Sequence, residues 1–384
     1  MRLNPVLTEF GEYPIATLQR RVADRRAAGL PVIDFSVGDP QEPTPAFIAE
    51  ALRAAVPAVS QYPPTAGTPK LRSAVADYVE RRFAVAIDPA TQVIPTSGSK
   101  EAIFSTPLAF VDRDAGAAVA FPSPGYPVYG RGARFAGAAL APIVLGSDFI
   151  LNAASLPDDV WTESALLWIC TPHNPSGAVT TTNDLEGLWD AALGSDTLLC
   201  SDECYADVYE EKVFPSGPPS LLQVTGAEAE GVLVYLSLSK RSGMTGYRSG
   251  AVVGDAEAIA ALKMLRTTTG TASPEFVQQA AVAAWGDDEH AAERRAVFAA
   301  KRAILRSALS DVGLDVVASN AGLYMWVDVS DDLEFTDRLL EAGIVVSPGS
   351  FFGAGGEGHV RLALVPTVEE CHHAADQLRR VLAS

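Results

Sequence analysis

The sequence predicts an α/β fold: a mostly parallel sheet covered by helices, followed by a smaller α+β domain. Three observations lead to it. Short β-rich apolar runs alternate with helical patterns up to about residue 286, as a parallel sheet with crossover helices requires. Gly and Pro are scattered as punctuation, with no internal repeat or low-complexity tract, so the chain reads as continuous. From about residue 287 the texture changes to a long charged helix, further strands and a last helix.

The elements follow in order. The opening "MRLNPVLTEFGEYPIATLQRR" lacks an apolar core of signal-peptide length and a small-residue cleavage pattern, so the expected location is cytoplasmic. Strands are expected at "TQVIPT" (91–96), "AAVAFP" (117–122), "ALLWIC" (165–170), "TLLCSD" (197–202), "GVLVYLSL" (231–238) and "GAVVGD" (250–255). Each is short, apolar and rich in β-branched or aromatic residues. Between them, "LRSAVADYVERRF" and "NDLEGLWDAAL" carry helical periodicity. The long helix is "DDEHAAERRAVFAAKRAILRSALSDVG" (287–313), and the later strands are "LYMWVDV" and "HVRLALV". The final helix opens with Thr367 and Glu370 at capping-box spacing, which places His372 and His373 on its solvated surface rather than in a metal site.

Composition narrows the function. A chain of 384 residues with 48% hydrophobic and 20% charged content is globular, and no stretch reaches membrane-helix length. The net charge of -18 disfavours nucleic acid and anionic membrane as partners, so an anionic ligand must find a local cationic pocket. Cys170, Cys200, Cys204 and Cys371 show no metal-ligand spacing and read as reduced core residues, with no metal expected.

The chemistry gathers where strands end, and open α/β sheets bind ligands beyond the carboxyl ends of their strands. After "TQVIPT" comes "SGSKEAIF", whose free N–H groups would cradle a phosphate. "SPGYPVY" follows the second run and "TPHNPSG" the third, while Asp202, Glu203, Cys204 and Tyr205 follow the fourth. The fifth is followed by "SLSKRSGMTGYRSG", a basic loop straight after a buried strand. Alone, each has a plain reading as a helix cap, a turn or a half-buried aromatic. Together, a phosphate cradle, a strand-end Asp, a strand-end Lys and Asn and Tyr donors suit pyridoxal 5'-phosphate. An amine must hold its aldehyde as a Schiff base, and a carboxylate must keep its pyridine nitrogen protonated.

On these residues the sequence resembles a fold-type I aminotransferase of the class I/II group over nearly the whole chain. The resemblance implies a sheet with helices on both faces. It also implies a large cofactor-binding domain at 46–286 and a small domain at 287–384, to which residues 1–45 contribute. By the family's pattern Lys240 is the Schiff-base lysine, and Ser237, Ser239 and Arg248 contact the phosphate. Gly98, Ser99 and Lys100 lie near the same phosphate, the last more surely through its main chain. Asp202 takes the ring nitrogen, Tyr205 and Asn174 the phenolic oxygen, and Tyr126 the stacking position. Arg361 in "HVRLALV" falls where the family binds the substrate α-carboxylate, with Gly38 of "FSVGDP" and Asn174 beside it. Tyr62 matches a tyrosine that reaches the neighbouring subunit's phosphate, which implies a homodimer with shared active sites. Ser249, Ser176 and His173 depart from the family's usual residues; His173 is read either as pocket wall or as a turn residue with its ring in solvent. Arg241 is left as a surface charge.

The resemblance further implies ping-pong transfer between an amino acid and 2-oxoglutarate. Its nearest subgroup is the N-succinyl-L,L-diaminopimelate aminotransferases of lysine biosynthesis. Aspartate, alanine or aromatic aminotransferases, and lyases or synthases on the same scaffold, stay open at this point. A non-catalytic regulator would need a DNA-binding module, for which there is neither spare length nor a basic patch.

Overall fold

The computed structural model describes residues 1–12 and 15–382. An amphipathic helix, Ile15–Ala27, leads into a two-residue strand, β1 (Ile33–Asp34). The seven strands of the large sheet come next: β2 (Val93–Thr96), β3 (Ala118–Ser123), β4 (Ala139–Val144), β5 (Ser164–Cys170), β6 (Leu198–Asp202), β7 (Val232–Ser237) and β8 (Gly250–Gly254). Their spatial order is β2-β8-β7-β6-β5-β3-β4. Only β8 runs against its neighbours, so the sheet is the mostly parallel one expected.

Burial explains which strands were legible. β7 is buried at every position, apolar on both faces, as a strand covered by helices on each side must be. The strand of this sheet absent from the sequence reading, β4, lies at the sheet edge, is exposed or half-buried throughout and contains Pro142. Proline is tolerated there because an edge strand leaves one side of its ladder unpaired.

After β8, a helix at Ala256–Thr269 and another at Glu275–Trp285 precede the long helix, Glu289–Asp311. The remaining strands are β9 (Val316–Ala318), β10 (Tyr324–Asp328), β11 (Ile344–Val345), β12 (Ser347–Pro348) and β13 (His359–Ala363). Four of them form an antiparallel sheet in the order β12-β13-β10-β9. β11 pairs in parallel with β1, and Phe35 is fully buried in the core of this sheet. The last helix, Val368–Leu382, begins with the expected reciprocal cap: the Glu370 N–H donates to Thr367 Oγ1 and the Thr367 N–H to Glu370 Oε2. Such a cap contributes about 1 kcal/mol. His372 and His373 are exposed on this helix.

The topology places the site. β2 and β7 are both antiparallel to β8 and therefore parallel to each other, so β2, β3, β5, β6 and β7 all end on one edge. Register brings Cys170 level with Asp202, Asp202 level with Tyr235, and both Thr96 and Ser237 level with Gly250.

Candidate active site

A cavity of about 590 Å³ opens at that edge, between the large sheet and the β10–β13 strands. Of the residues expected at the site, Gly38, Ser99, Lys100, Tyr126, Asn174 and Asp202 line it, and so do Tyr205, Ser237, Ser239, Lys240, Arg248 and Arg361. Its volume matches an enclosed small-molecule site.

One end is built for an anion. Gly98 caps the helix Ser99–Phe110 at φ 84°, and no side chain caps that N-terminus. A Cβ on Gly98 would collide with the guanidinium of Arg248. Arg248 itself adopts a left-handed backbone, φ 56°, a conformation disfavoured for a residue with a side chain. Burial first, and then the charges of Arg248 and Arg131, hold the Lys100 ammonium below the ordinary lysine range. Cations crowded at an uncapped helix N-terminus are stabilised by an anion placed among them. Ser237 Oγ accepts from the Ser239 N–H at 3.2 Å, fixing the turn that carries Lys240.

The floor holds Asp202. It is 4% exposed, accepts from Tyr129 Oη at 2.8 Å and from the Cys204 N–H at 3.2 Å, and pairs with no Lys or Arg among the described residues. Burial raises its pKa, because a buried carboxylate without a cation is costly. A protonated ring nitrogen set against it relieves that cost. Tyr129 stacks on Trp168 at 5.0 Å and meets Tyr126 edge-on at 5.7 Å.

The opposite wall holds a buried arginine. Arg361 is buried, with its guanidinium carbon 4.2 Å from the Tyr324 ring centroid and 4.5 Å from that of Phe352. It donates to Asn174 Oδ1 at 2.9 Å and to the Ser36 carbonyl at 2.6 Å. Its fork is thereby held rigid, the state in which a guanidinium grips a carboxylate bidentately. Tyr324 Oη also lies 2.9 Å from Tyr205 Oη, and a Cβ on Gly38 would come within 2.6 Å of it.

Between these ends, Lys240 Nζ donates to the Gly38 carbonyl. Burial pushes its pKa down to about 8; Asp39 opposes the shift, while Arg361 and Arg248 add to it. A lysine so placed spends an appreciable fraction of its time as a neutral nucleophile at physiological pH.

Tyr62, expected to serve a neighbouring subunit, is fully exposed and lies outside this chain's cavity, and Gly98 backs the lining as the cap of the helix that Ser99 opens. Two other residues stand elsewhere than expected. His173 belongs to neither reading offered for it: its ring is buried, it does not line the cavity, and its Nδ1 pairs with Ser176 Oγ at 2.8 Å. Burial pushes its pKa down to about 4. Arg241 is not a surface charge. It is 3% exposed and paired with Asp207 and Asp288, because consecutive residues on a helical turn point about 100° apart and Lys240 takes the cavity side. Tyr324, Phe352, Asp39 and Cys204 line the cavity without having been singled out. Tyr324 sits in an apolar run that reads as core, whereas Cys204, flanked by Asp202 and Tyr205, had a legible signal in its neighbours. The four cysteines are free thiols, and no metal-binding cluster of His, Cys, Asp or Glu occurs among the described residues. No described helix is long and apolar enough to cross a membrane.

A cationic end, a buried carboxylate with no Lys or Arg partner among the described residues and a lysine of lowered pKa between them suit a class: enzymes that hold pyridoxal phosphate on an α/β scaffold. The chain belongs to the aminotransferase class I and II family, whose model matches residues 31–378. It is therefore a pyridoxal-phosphate-dependent aminotransferase. It is 38% identical to the LL-diaminopimelate aminotransferase of Aquifex aeolicus, over 96% of each chain. A crystal structure of an aminotransferase from Neisseria meningitidis superposes with a TM-score of 0.91 at 32% identity, covering 99% of this chain and 100% of that one. A probable N-succinyldiaminopimelate aminotransferase from Thermus thermophilus superposes with a TM-score of 0.87 at 30% identity, covering 95% and 99%.

Proposed function

We propose that this aminotransferase takes its amino group from an LL-diaminopimelate-type donor, free or N-succinylated, passes it to 2-oxoglutarate, and serves lysine biosynthesis. Support for the donor comes from relatives named LL-diaminopimelate aminotransferases, matched along nearly their whole length. The N-succinyl form is the narrower reading and draws on a structural likeness at lower identity. The observation that carries the chemistry is Lys240, depressed in pKa and set between the Asp202 floor and the Arg361 wall.

Roles follow from position. Gly98, Ser99, Lys100, Ser237, Ser239 and Arg248 hold the phosphate of the cofactor, and Tyr126 packs on its ring. Asp202 holds a proton on the ring nitrogen, and Tyr205 and Asn174 face the phenolic oxygen. When bound, pyridoxal phosphate supplies an electron sink that stabilises negative charge at the substrate α-carbon. Arg361, with Gly38 and Asn174 beside it, grips the α-carboxylate, so that the α-hydrogen is presented to Lys240. With its amine free, Lys240 would remove that proton from the α-carbon as general base and deliver it, as general acid, to the cofactor's C4' carbon. The exposure of Tyr62 suits a homodimer in which it reaches across to the partner's phosphate. We take residues 46–286 as the cofactor-binding domain, with 1–45 and 287–384 forming the second.

A panel of amino donors with 2-oxoglutarate, including LL-diaminopimelate and its N-succinyl derivative, tests the substrate. Activity on either supports the reading; activity confined to aspartate or aromatic donors overturns it.

A further inference from the structure

Arg241 follows Lys240 directly, yet it points away from the cavity into a buried ionic network. Its Nε donates to Asp207 Oδ2 at 2.7 Å and its Nη1 to the Ala284 carbonyl at 2.7 Å. Nη2 donates to the Asp287 carbonyl at 2.9 Å and to Asp288 Oδ1 at 2.6 Å. The guanidinium carbon lies 5.0 Å from the Tyr78 ring centroid and 5.7 Å from that of Trp285. Asp207 in turn accepts from Arg82 Nε at 3.1 Å and Tyr78 Oη at 2.9 Å. Burial alone would raise the Asp207 pKa, but Arg241 and Arg82 outweigh it and hold the carboxylate ionised. The next residue, Ser242, is fully buried and pairs through Oγ with His290 Nε2 at 2.8 Å, and His290 Nδ1 lies 2.6 Å from Asp287 Oδ1.

Two stretches of chain are tied by this network. One is the turn Leu238–Arg241, which carries Lys240; the other is the segment from Asp202 through Tyr205 to Asp207. The Lys240 turn is also tied, through Arg241 and the following Ser242, to the junction between the helices Glu275–Trp285 and Glu289–Asp311. Neither Arg241 nor Asp207 lines the cavity, so neither touches a substrate there. A turn of four residues has little rigidity of its own, and the Lys240 amine sits at the end of four rotatable bonds.

We propose that Arg241 is a positioning residue, its pair with Asp207 clamping the Lys240 turn to the Asp202–Tyr205 segment so that the amine is held at a fixed place over the floor. Lysine cannot replace it, because the site uses a planar fork bonded to several acceptors and stacked on aromatic rings. The inference rests on the reading of Lys240 as the cofactor's anchor.

The test uses the full-length holoenzyme with Arg241→Met, Arg241→Lys and Asp207→Asn. Displacement of a reacting group by about 1 Å costs on the order of a hundredfold in rate. Arg241→Met is expected to lower kcat by about ten- to a hundredfold with KM for the amino donor held within about threefold, the signature of lost positioning. It should also shift the pH midpoint of the cofactor–lysine absorbance, which a purely structural loss would leave in place. Arg241→Lys should recover only part of both effects. If Arg241→Met does not fold, the near-isosteric Asp207→Asn should show the same midpoint shift and kcat loss. A folded variant of either position that keeps the wild-type midpoint and kcat, whatever its melting temperature, overturns the proposal. Lys240→Ala is run beside them: loss of covalent cofactor upholds the anchor, and retention of covalent cofactor overturns the anchor itself, so the two failures are distinguishable.

Discussion

Lys240 should capture pyridoxal phosphate readily near neutral pH, and the structure sets by how much. Only the uncharged amine attacks the cofactor's aldehyde carbon. A lysine at the ordinary 10.5 is neutral about once in 3,000 molecules at pH 7, whereas one at about 8 is neutral about once in eleven. Burial therefore raises the reactive population roughly 300-fold, equivalent to about 3 kcal/mol. The sign follows from the cause: desolvation penalises the ammonium, so the amine loses its proton at lower pH than an exposed lysine. The assay removes the cofactor, remixes enzyme and pyridoxal phosphate at a series of pH values and constant ionic strength, and follows the absorbance of the covalent adduct. Initial rates should rise about tenfold per pH unit and level off near pH 8. Rates still climbing past pH 10 would refute the depressed lysine and, with it, the account of burial around Nζ. Lys240→Ala should form no adduct at any pH.

Other expectations concern the flanking residues. Arg361→Lys keeps a charge but loses the fork stacked between Tyr324 and Phe352, so KM for the amino donor should rise by about ten- to a hundredfold, read in steady-state kinetics. An unchanged KM would place carboxylate binding elsewhere. Gly98→Ala must put a Cβ at φ 84° against Arg248, so cofactor affinity measured by equilibrium titration should fall by about tenfold or more, while an unaltered Kd would show that the cradle adapts. Glu203 is buried, and burial raises its pKa from 4.5 to about 7, opposed by Ser220, Leu221 and Ser201. Because the folded value is the higher one, its favourable contribution is complete below pH 4.5 and is lost as pH rises through 7, by roughly 3 kcal/mol in all. Melting temperatures of Glu203→Gln should accordingly fall less than those of the wild type between pH 5 and 9. Parallel curves would mean that Glu203 is not the titrating group.

Much of the fold and site was legible because local chemistry was unambiguous. The apolar runs that became β5, β6 and β7 are buried in the centre of the sheet, where packing and propensity ask for the same residues. Thr367 and Glu370 marked a helix start because a capping box is satisfied within four residues. Lys240, Asp202, Asn174 and Arg248 could be singled out because each stands in a short motif at a strand end. β4 escaped because an edge strand half open to solvent carries a weak apolar pattern and tolerates a proline.

What the sequence by itself determined was the central inventory: which buried strands and long helices form, which residue types stand at their ends, and that an acidic chain keeps a local cluster of cations. Tertiary structure decided the directions. Nothing in "SLSKRSG" says that Lys240 faces the cavity while Arg241 turns to Asp207, or that Tyr324, far along the chain, joins Tyr205 and Arg361. Nor does it say that the His173 ring is sealed against Ser176. Local sequence governs backbone preference over a few residues. Which side of a turn is buried, and how far a charge is desolvated, depends on elements brought together from distant parts of the chain, and those surroundings decide whether a lysine is a nucleophile and an arginine a clamp.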